Sequence, residues 1–214
     1  MSDVPLTDEP VAPLTPAKKA HHEVVQERAR GLVDALGRIL PPSGEFVCEI
    51  GSGHGHFLTA YAHARPERVC VGLDLVGERV ARATKKRDRG RLGNLHFLRA
   101  DARLFLKVLP EAARMSDLYI LFPDPWPKLR HHKHRIIQPA LLDVVAGRMA
   151  PGARLFFRTD YEPYFAEAKR TIAEHPRWTV TEEPWDFEYE TVFQSRAEKY
   201  HSLVARVRGT VGPL

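Results

Sequence analysis

The sequence predicts an α/β fold: a doubly wound, mostly parallel β-sheet with an antiparallel edge. Three observations predict it. Five short apolar runs are each followed by a helical stretch, a glycine-rich loop follows the first run, and two β-rich segments close the chain with no helical pattern between them.

The elements follow in order. Residues 1 to 19 hold four prolines, Pro5, Pro10, Pro13 and Pro16, and no apolar period, so a flexible tail is expected there. A helix is expected over 20 to 40, where Val25, Ala29, Leu32 and Leu36 recur at spacings of 4, 3 and 4 before Pro41 and Pro42 stop it. The apolar runs FVCEI (46–50), VCVGLD (69–74), LHFLRA (95–100), DLYILF (117–122) and ARLFFRT (153–159) read as buried strands. Helical stretches near 55–64, 76–89, 102–109, 135–149 and 161–174 separate and follow them. The segments WTVTEE (178–183) and HSLVARVR (201–208) are expected to pair antiparallel at one edge. Everything from 20 to 210 then forms a single domain.

Composition narrows the class of protein. At 43% hydrophobic and 28% charged residues the chain has enough apolar material for a core, which excludes a wholly disordered or collagen-like chain. No run approaches the roughly 18 apolar residues of a spanning helix, and the N-terminus lacks the basic and apolar regions of a secretory leader. Cys48 and Cys70 sit inside apolar runs, so buried, reduced thiols and a cytoplasmic location are expected. The 32 Lys+Arg exceed the 27 Asp+Glu by five, a modest excess that points to a polyanion because it is clustered.

Glu49-Ile-Gly51-Ser-Gly53-His-Gly55 joins the first strand to its helix, where glycines let a backbone approach a ligand. A dinucleotide fingerprint requires glycine where His56 stands, so the loop suits a nucleotide-type ligand other than NAD. Asp74 ends the second strand, 19 residues after Gly55, where an acid accepts both hydroxyls of a ribose. Asp101 follows the third strand, within reach of an adenine amine; an Asp there also caps helices. Glu49, Asp74 and Asp101 thus fall in series on the rim where open α/β sheets bind ligands.

After the fourth strand, Phe122-Pro123-Asp124-Pro125-Trp126-Pro127-Lys128 alternates three prolines, which stiffens the loop and fixes an acid and an indole. Trp126 is able to stack on a base or to wedge the loop. The run Lys128 to Arg135 follows, with four fixed positive charges, three histidines and no acid. Metal binding is disfavoured, because adjacent histidines do not converge and the cations repel a metal ion. A solvated basic face suits the run better than metal, and phosphate binding through its four cations, Lys128, Arg130, Lys133 and Arg135, suits it better still. A second basic stretch, Arg79 to Arg91, carries seven cations against Asp88 and reads as a phosphate footprint or as a solvated helix face. Asp160, in Thr159-Asp-Tyr-Glu162, reads as part of a capping box or as a substrate contact.

The segments EIGSGHG, GLDL, RADAR, LFPDPWPKLRHHKHR, RTDYEPY and TVFQSR, in this order and spacing, resemble the bacterial tRNA (guanine-N7-)-methyltransferases. The resemblance covers about residues 46 to 207, and its specific part is Pro-Asp-Pro-Trp followed by Lys-x-Arg-His-x-Lys. It implies a Rossmann-like class I methyltransferase fold, S-adenosylmethionine as cofactor, and methylation of N7 of a variable-loop guanosine in tRNA. It further implies that Glu49, Asp74, Asp101 and Asp124 hold the cofactor together with Gly51, Gly53 and Gly55. Asp124 doubles as the active-site acid, and Lys128, Asp160 and Thr191 to Gln194 contact the substrate. One position departs from the family pattern T-x-F-E-x-R: the acid is here the amide Gln194. The implied partner is tRNA, with no metal, membrane or obligate protein partner.

A competing class is an RNA-binding protein on the same fold that transfers no methyl group, since fold does not fix function. A small-molecule methyltransferase would call for an apolar lid and no basic footprint, the opposite of this sequence.

Overall fold

The computed structural model of the protein describes residues 15–40, 44–190 and 194–208. The helix α1 (Pro16–Ile39) precedes an alternation of strands and helices: β1 (Glu45–Ile50), α2 (His56–Ala64), β2 (Val69–Asp74), α3 (Gly77–Arg89), β3 (Leu95–Arg99), α4 (Ala102–Val108) and β4 (Arg114–Leu121). After a 3₁₀ helix over Leu129–His134 come α5 (Pro139–Ala146), β5 (Met149–Thr159), α6 (Glu162–Glu174), β6 (Trp178–Thr181) and β7 (His201–Val207). The seven strands form one sheet in the order β3-β2-β1-β4-β5-β7-β6. β1 to β5 pair in parallel and β7 runs antiparallel to both β5 and β6, the expected edge.

The sheet is covered on both faces, which is why its central strands read as continuous apolar runs. One face buries Leu32, Leu36 and Leu40 from α1 and its end, Phe105 from α4, Leu141 and Val145 from α5 and Ile172 from α6. The other packs Phe57, Leu58 and Tyr61 of α2 and Ala83 of α3 on Val47, Cys70 and Tyr119. No described helix covers β5 and β7 on that second face. Trp185, Phe187 and Tyr189 do so instead, with Trp185 edge-on to Phe156 at 5.2 Å and Phe187 edge-on to Tyr61 at 5.3 Å.

The boundaries differ most from the sequence-based expectation at three elements. Helix α1 starts at Pro16, four residues before the expected residue 20, because proline is tolerated at a first helical position. The expected helix over 135–149 is confined to Pro139–Ala146: Pro139 holds the preceding Gln138 extended, at φ −131° and ψ 148°. Strand β5 begins at Met149, four residues before the expected residue 153, and runs through an irregularity at Pro151 and Gly152 (φ 74°) that the apolar pattern did not reveal. Both cysteines are buried thiols, and burial pushes their pKa values up. Among the described residues no helix is long and apolar enough to cross a membrane, and no group of side chains is arranged to hold a metal ion.

Candidate active site

Parallel register places five strand ends on one rim. Ile50 aligns with Leu73 and with Ile120, Asp74 with Arg99, and Leu121 with Arg158, so Glu49, Asp74, Asp101, Asp124 and Asp160 lie at or just beyond the carboxyl ends of β1 to β5. The chain order reverses between β1 and β4, the crevice where such sheets take ligands. Glu49 and the loop carrying Asp124 border that crevice from its two sides.

The glycine loop has the backbone that its sequence demands. Gly51, Gly53 and Gly55 have φ of 80°, 53° and 69°, a region that costs other residues about 1–2 kcal/mol. The three glycines differ in purpose. A Cβ at Gly55 would lie 2.5 Å from Cζ of Phe97, so that glycine serves packing, whereas a Cβ at Gly51 or Gly53 meets nothing within 4 Å. The space above these two residues is open to a ligand. Gly51 and Ser52 both donate to the Leu73 carbonyl at 2.8 Å, tying the loop to the end of β2.

Asp74 is 6% exposed and shapes the same loop. Its Oδ2 accepts from the Gly53 N–H at 2.9 Å and its Oδ1 from the Val76 N–H at 2.8 Å, while Arg79 stands 3.9 Å away. Glu49 is 3% exposed, and burial, with Asp74 as a nearby negative charge, pushes its pKa up to about 8. The Leu58 backbone N–H opposes that rise. Glu49 Oε2 and Ser52 Oγ are buried with no hydrogen bond among the described residues. Buried acceptors left in this state are costly, so donors supplied by a ligand would relieve them. Orphaned polar atoms beside an open glycine cradle fit an adenosine-type cofactor. Asp101 caps α4, accepting from Arg103 and Leu104 at 2.9 and 3.1 Å through Oδ1 alone.

The loop after β4 is held from below. Phe122 and Trp126 have φ of 47° and 44°, strained values for bulky residues. Arg135, 1% exposed, supports the strained segment: its Nε donates to the Pro125 carbonyl at 2.9 Å and a second nitrogen to that of Trp126 at 3.5 Å. Glu167 of α6 neutralises it, and the Tyr164 ring lies 4.8 Å beneath the guanidinium. The indole of Trp126 packs on His131 and His134, at 5.7 and 5.1 Å between ring centres, so it wedges the loop here. Asp124 is exposed above this support.

A family model described as "Putative methyltransferase" matches residues 43–213. The tRNA (guanine-N(7)-)-methyltransferase of Chromohalobacter salexigens is 35% identical over 184 residues, which covers 82% of this chain and 73% of the relative. The chain belongs to that family. The proteins of the same name from Halorhodospira halophila and Treponema pallidum (strain Nichols) are 33% and 32% identical, covering 84% and 81% of this chain and 81% and 71% of their own lengths. Among solved structures, the aminoglycoside resistance methyltransferase NpmB1 superposes with a TM-score of 0.57 at 16% identity over 82% of this chain and 93% of that one. TrmN from Thermus thermophilus gives 0.57 at 19% over 84% and 48%. At such identities these two likenesses bear on the fold alone, and the fold is that of a class I methyltransferase.

Within this family fold, the structure sorts the remaining expected site residues. Lys128, Arg130 and Lys133 are exposed on and beside the 3₁₀ helix. Arg135, the fourth cation of that run, is buried under the loop and corrects the expectation of four available charges: it positions and does not face phosphate. The capping box at Thr159 does not form. The N-cap of α6 is Tyr161, whose N–H donates to Thr159 Oγ1 at 3.2 Å, and this leaves Asp160 exposed and outside the cap. Gln194 heads a 3₁₀ turn, and its Oε1 accepts from Arg158 at 3.2 Å. Thr191 lies outside the described residues.

The two basic elements sit on opposite faces of the sheet. The 3₁₀ helix leans on α6, where His132 Nδ1 is 3.2 Å from Glu167. Helix α3 lies on the α2 face and lines a groove of about 670 Å³ with Arg82, Lys85, Lys86 and Arg89 and one acid, Asp88, together with His54 and His56 of the glycine loop region. Lys86 donates to the His54 carbonyl at 3.0 Å, and burial together with Lys86 and His54 holds the His56 pKa down. Arg135, Arg158 and Gly72 carry weight that the sequence did not signal. A Cβ at Gly72 would meet Phe97 at 2.6 Å, yet its sequence context is that of any buried strand.

Proposed function

We propose that this protein transfers a methyl group from S-adenosylmethionine to N7 of a guanosine in tRNA. The observation that carries this reading is the juxtaposition across the β1/β4 crevice. An open glycine loop and two buried acids stand on one side, an exposed Asp124 on a braced loop on the other, and three exposed cations follow directly. The names of the relatives supply the substrate.

When bound, S-adenosylmethionine supplies a methyl group on a positively charged sulfur. Guanine N7 has a free lone pair, so the chain need not remove a proton and needs no general base. Its residues position and neutralise. Gly51 and Gly53 would admit the adenosine, Asp74 would take the ribose hydroxyls, and Asp101, whose cap uses only Oδ1, would take the adenine amine. Glu49 would meet polar groups of the cofactor at its orphaned oxygen. Asp124 accepts from guanine N1–H and N2–H₂, and its charge offsets the positive charge that the base gains at N7. In-line alignment of this kind is worth about 7–11 kcal/mol in favourable intramolecular cases, and a fixed charge facing a developing one adds to it.

Lys128, Arg130 and Lys133 hold phosphates beside the crevice, with the exposed Asp160 as a further substrate contact. The groove of α3 extends the footprint onto the opposite face, so the tRNA straddles the rim of the sheet. Two buried thiols and a tRNA substrate support a cytoplasmic location. Transcripts in which 7-deazaguanosine replaces guanosine lack the N7 lone pair and test the reading directly. They should accept no methyl group, and their methylation would move the reaction to another atom.

A further inference from the structure

Arg158, the last residue but one of β5, is 4% exposed, and its guanidinium gathers three separate pieces of chain. Nε donates to Ser202 Oγ of β7 at 2.8 Å. The two terminal nitrogens donate to Glu188 at 2.9 and 3.1 Å, and one of them also to Gln194 Oε1 at 3.2 Å. The guanidinium carbon lies 3.9 Å from the centre of the Trp185 ring and 4.7 Å from that of Tyr200. A delocalised cation with five donors is suited to such a hub, because it stacks and forks at once. The backbone of the same residue works in the other direction. Its carbonyl accepts from the Phe122 N–H at 2.7 Å, at the root of the loop that carries Asp124, and the Phe122 ring stands edge-on to Tyr200 at 6.2 Å.

We propose that Arg158 is a positioning residue that straps Trp185, Glu188, Gln194 and Tyr200 to the rim of the sheet beside the Asp124 loop, and that Gln194 acts on the reaction through Arg158 instead of through its own contact with guanine. The amide of Gln194 is oriented by its neighbours. Arginine only donates, so the oxygen faces Arg158, and the NH₂ is left to donate to the Tyr200 hydroxyl at 3.1 Å. Both ends of the side chain are engaged within the strap. The negative charge that Arg158 requires comes from Glu188, which explains how an amide serves at position 194 where the family pattern has an acid. A buried guanidinium deprived of these acceptors would be left uncompensated, so the strap and the cation depend on each other.

The activity arm of the test rests on the methyltransferase reading, and a protease arm does not. Kinetics on unmodified tRNA would compare the full-length parent with Arg158→Gln, Gln194→Ala and the double variant, with S-adenosylmethionine affinity measured alongside. Each single change should lower kcat/KM for tRNA about tenfold while cofactor affinity stays within about twofold, and the double variant should be no worse than Arg158→Gln alone. Losses that multiply to about a hundredfold would show that Gln194 makes a contact of its own and would overturn its half of the proposal. Should Arg158→Gln fail to fold, Glu188→Ala, at an exposed position, replaces it in the same cycle. In limited trypsinolysis read by mass spectrometry, Arg158→Gln or Glu188→Ala should speed cleavage at Lys199 whether or not tRNA is the substrate. Unchanged cleavage would overturn the strap.

Discussion

Asp74 accepts the Gly53 backbone N–H at 2.9 Å, so the acid at the end of β2 also sets the shape of the loop at the end of β1. In the proposed cofactor site, affinity and loop geometry would therefore be coupled through one carboxylate. The loop reports on the cofactor and the strand beneath it on the fold, and substitutions separate the two.

Gly53→Val should abolish S-adenosylmethionine binding while the protein stays folded, since a Cβ there meets nothing within 4 Å, although φ 53° costs an ordinary L residue about 1–2 kcal/mol and a β-branched one more. Gly72→Ala should do the reverse. Its Cβ would press on Phe97 at 2.6 Å and on Ser52 Oγ at 2.9 Å, which lowers stability by about 1–3 kcal/mol in urea titration. Unchanged calorimetric affinity in Gly53→Val would put the cofactor elsewhere.

Glu49 makes stability depend on pH in a definite direction. With a pKa raised from 4.5 to about 8, the folded protein binds more protons than the unfolded chain between those values, so stability falls as pH rises across that window. Glu49→Gln removes this contribution. Thermal melts of the cofactor-free protein from pH 5 to pH 8 should show a shallower decline in the variant, and parallel declines would mean that Glu49 is already ionised in the folded state.

Neutralising Arg130 and Lys133 should weaken tRNA binding and flatten its salt dependence. Each phosphate that no longer meets a cation takes about 0.9 from the log–log slope on a duplex, or about 0.7 on single strands. An unchanged slope would remove the 3₁₀ helix from the interface. Glutamine replacements at Lys85 and Lys86 apply the same measurement to the groove on the opposite face.

The parallel order of strands and the rim of acids were legible because both are written in local pattern: apolar runs, a glycine loop, and Asp or Glu at each strand end. The supports of the site were not. Arg135 stands in a run of surface cations, and only the fold turns its side chain under Pro125 and Trp126. Arg158 reads as one charge in an apolar strand, and its acceptors lie 30 to 44 residues away in sequence. The capping box at Thr159 had the right residue types, but the helix starts two residues later, with Pro163 in its first turn, and the hydroxyl takes the Tyr161 N–H instead. Motifs mark the residues that face a ligand, while long-range contacts decide which residues hold them there.

Asp124→Ala should separate chemistry from binding. Phosphate contacts generally supply a large share of the affinity for a nucleic acid, so the dissociation constant for tRNA should change little, while kcat falls about a hundredfold, the scale of a lost fixed charge or donor at a reacting centre. Equal losses in both would make Asp124 a structural residue of its loop.

The most direct measurement is nucleoside mass spectrometry of unmodified tRNA after incubation with the protein and S-adenosylmethionine, with the Asp124→Ala variant in parallel. The account predicts 7-methylguanosine in the parent digest and little or none with the variant. A parent digest that contains no 7-methylguanosine, or a methyl group on another base, would contradict it.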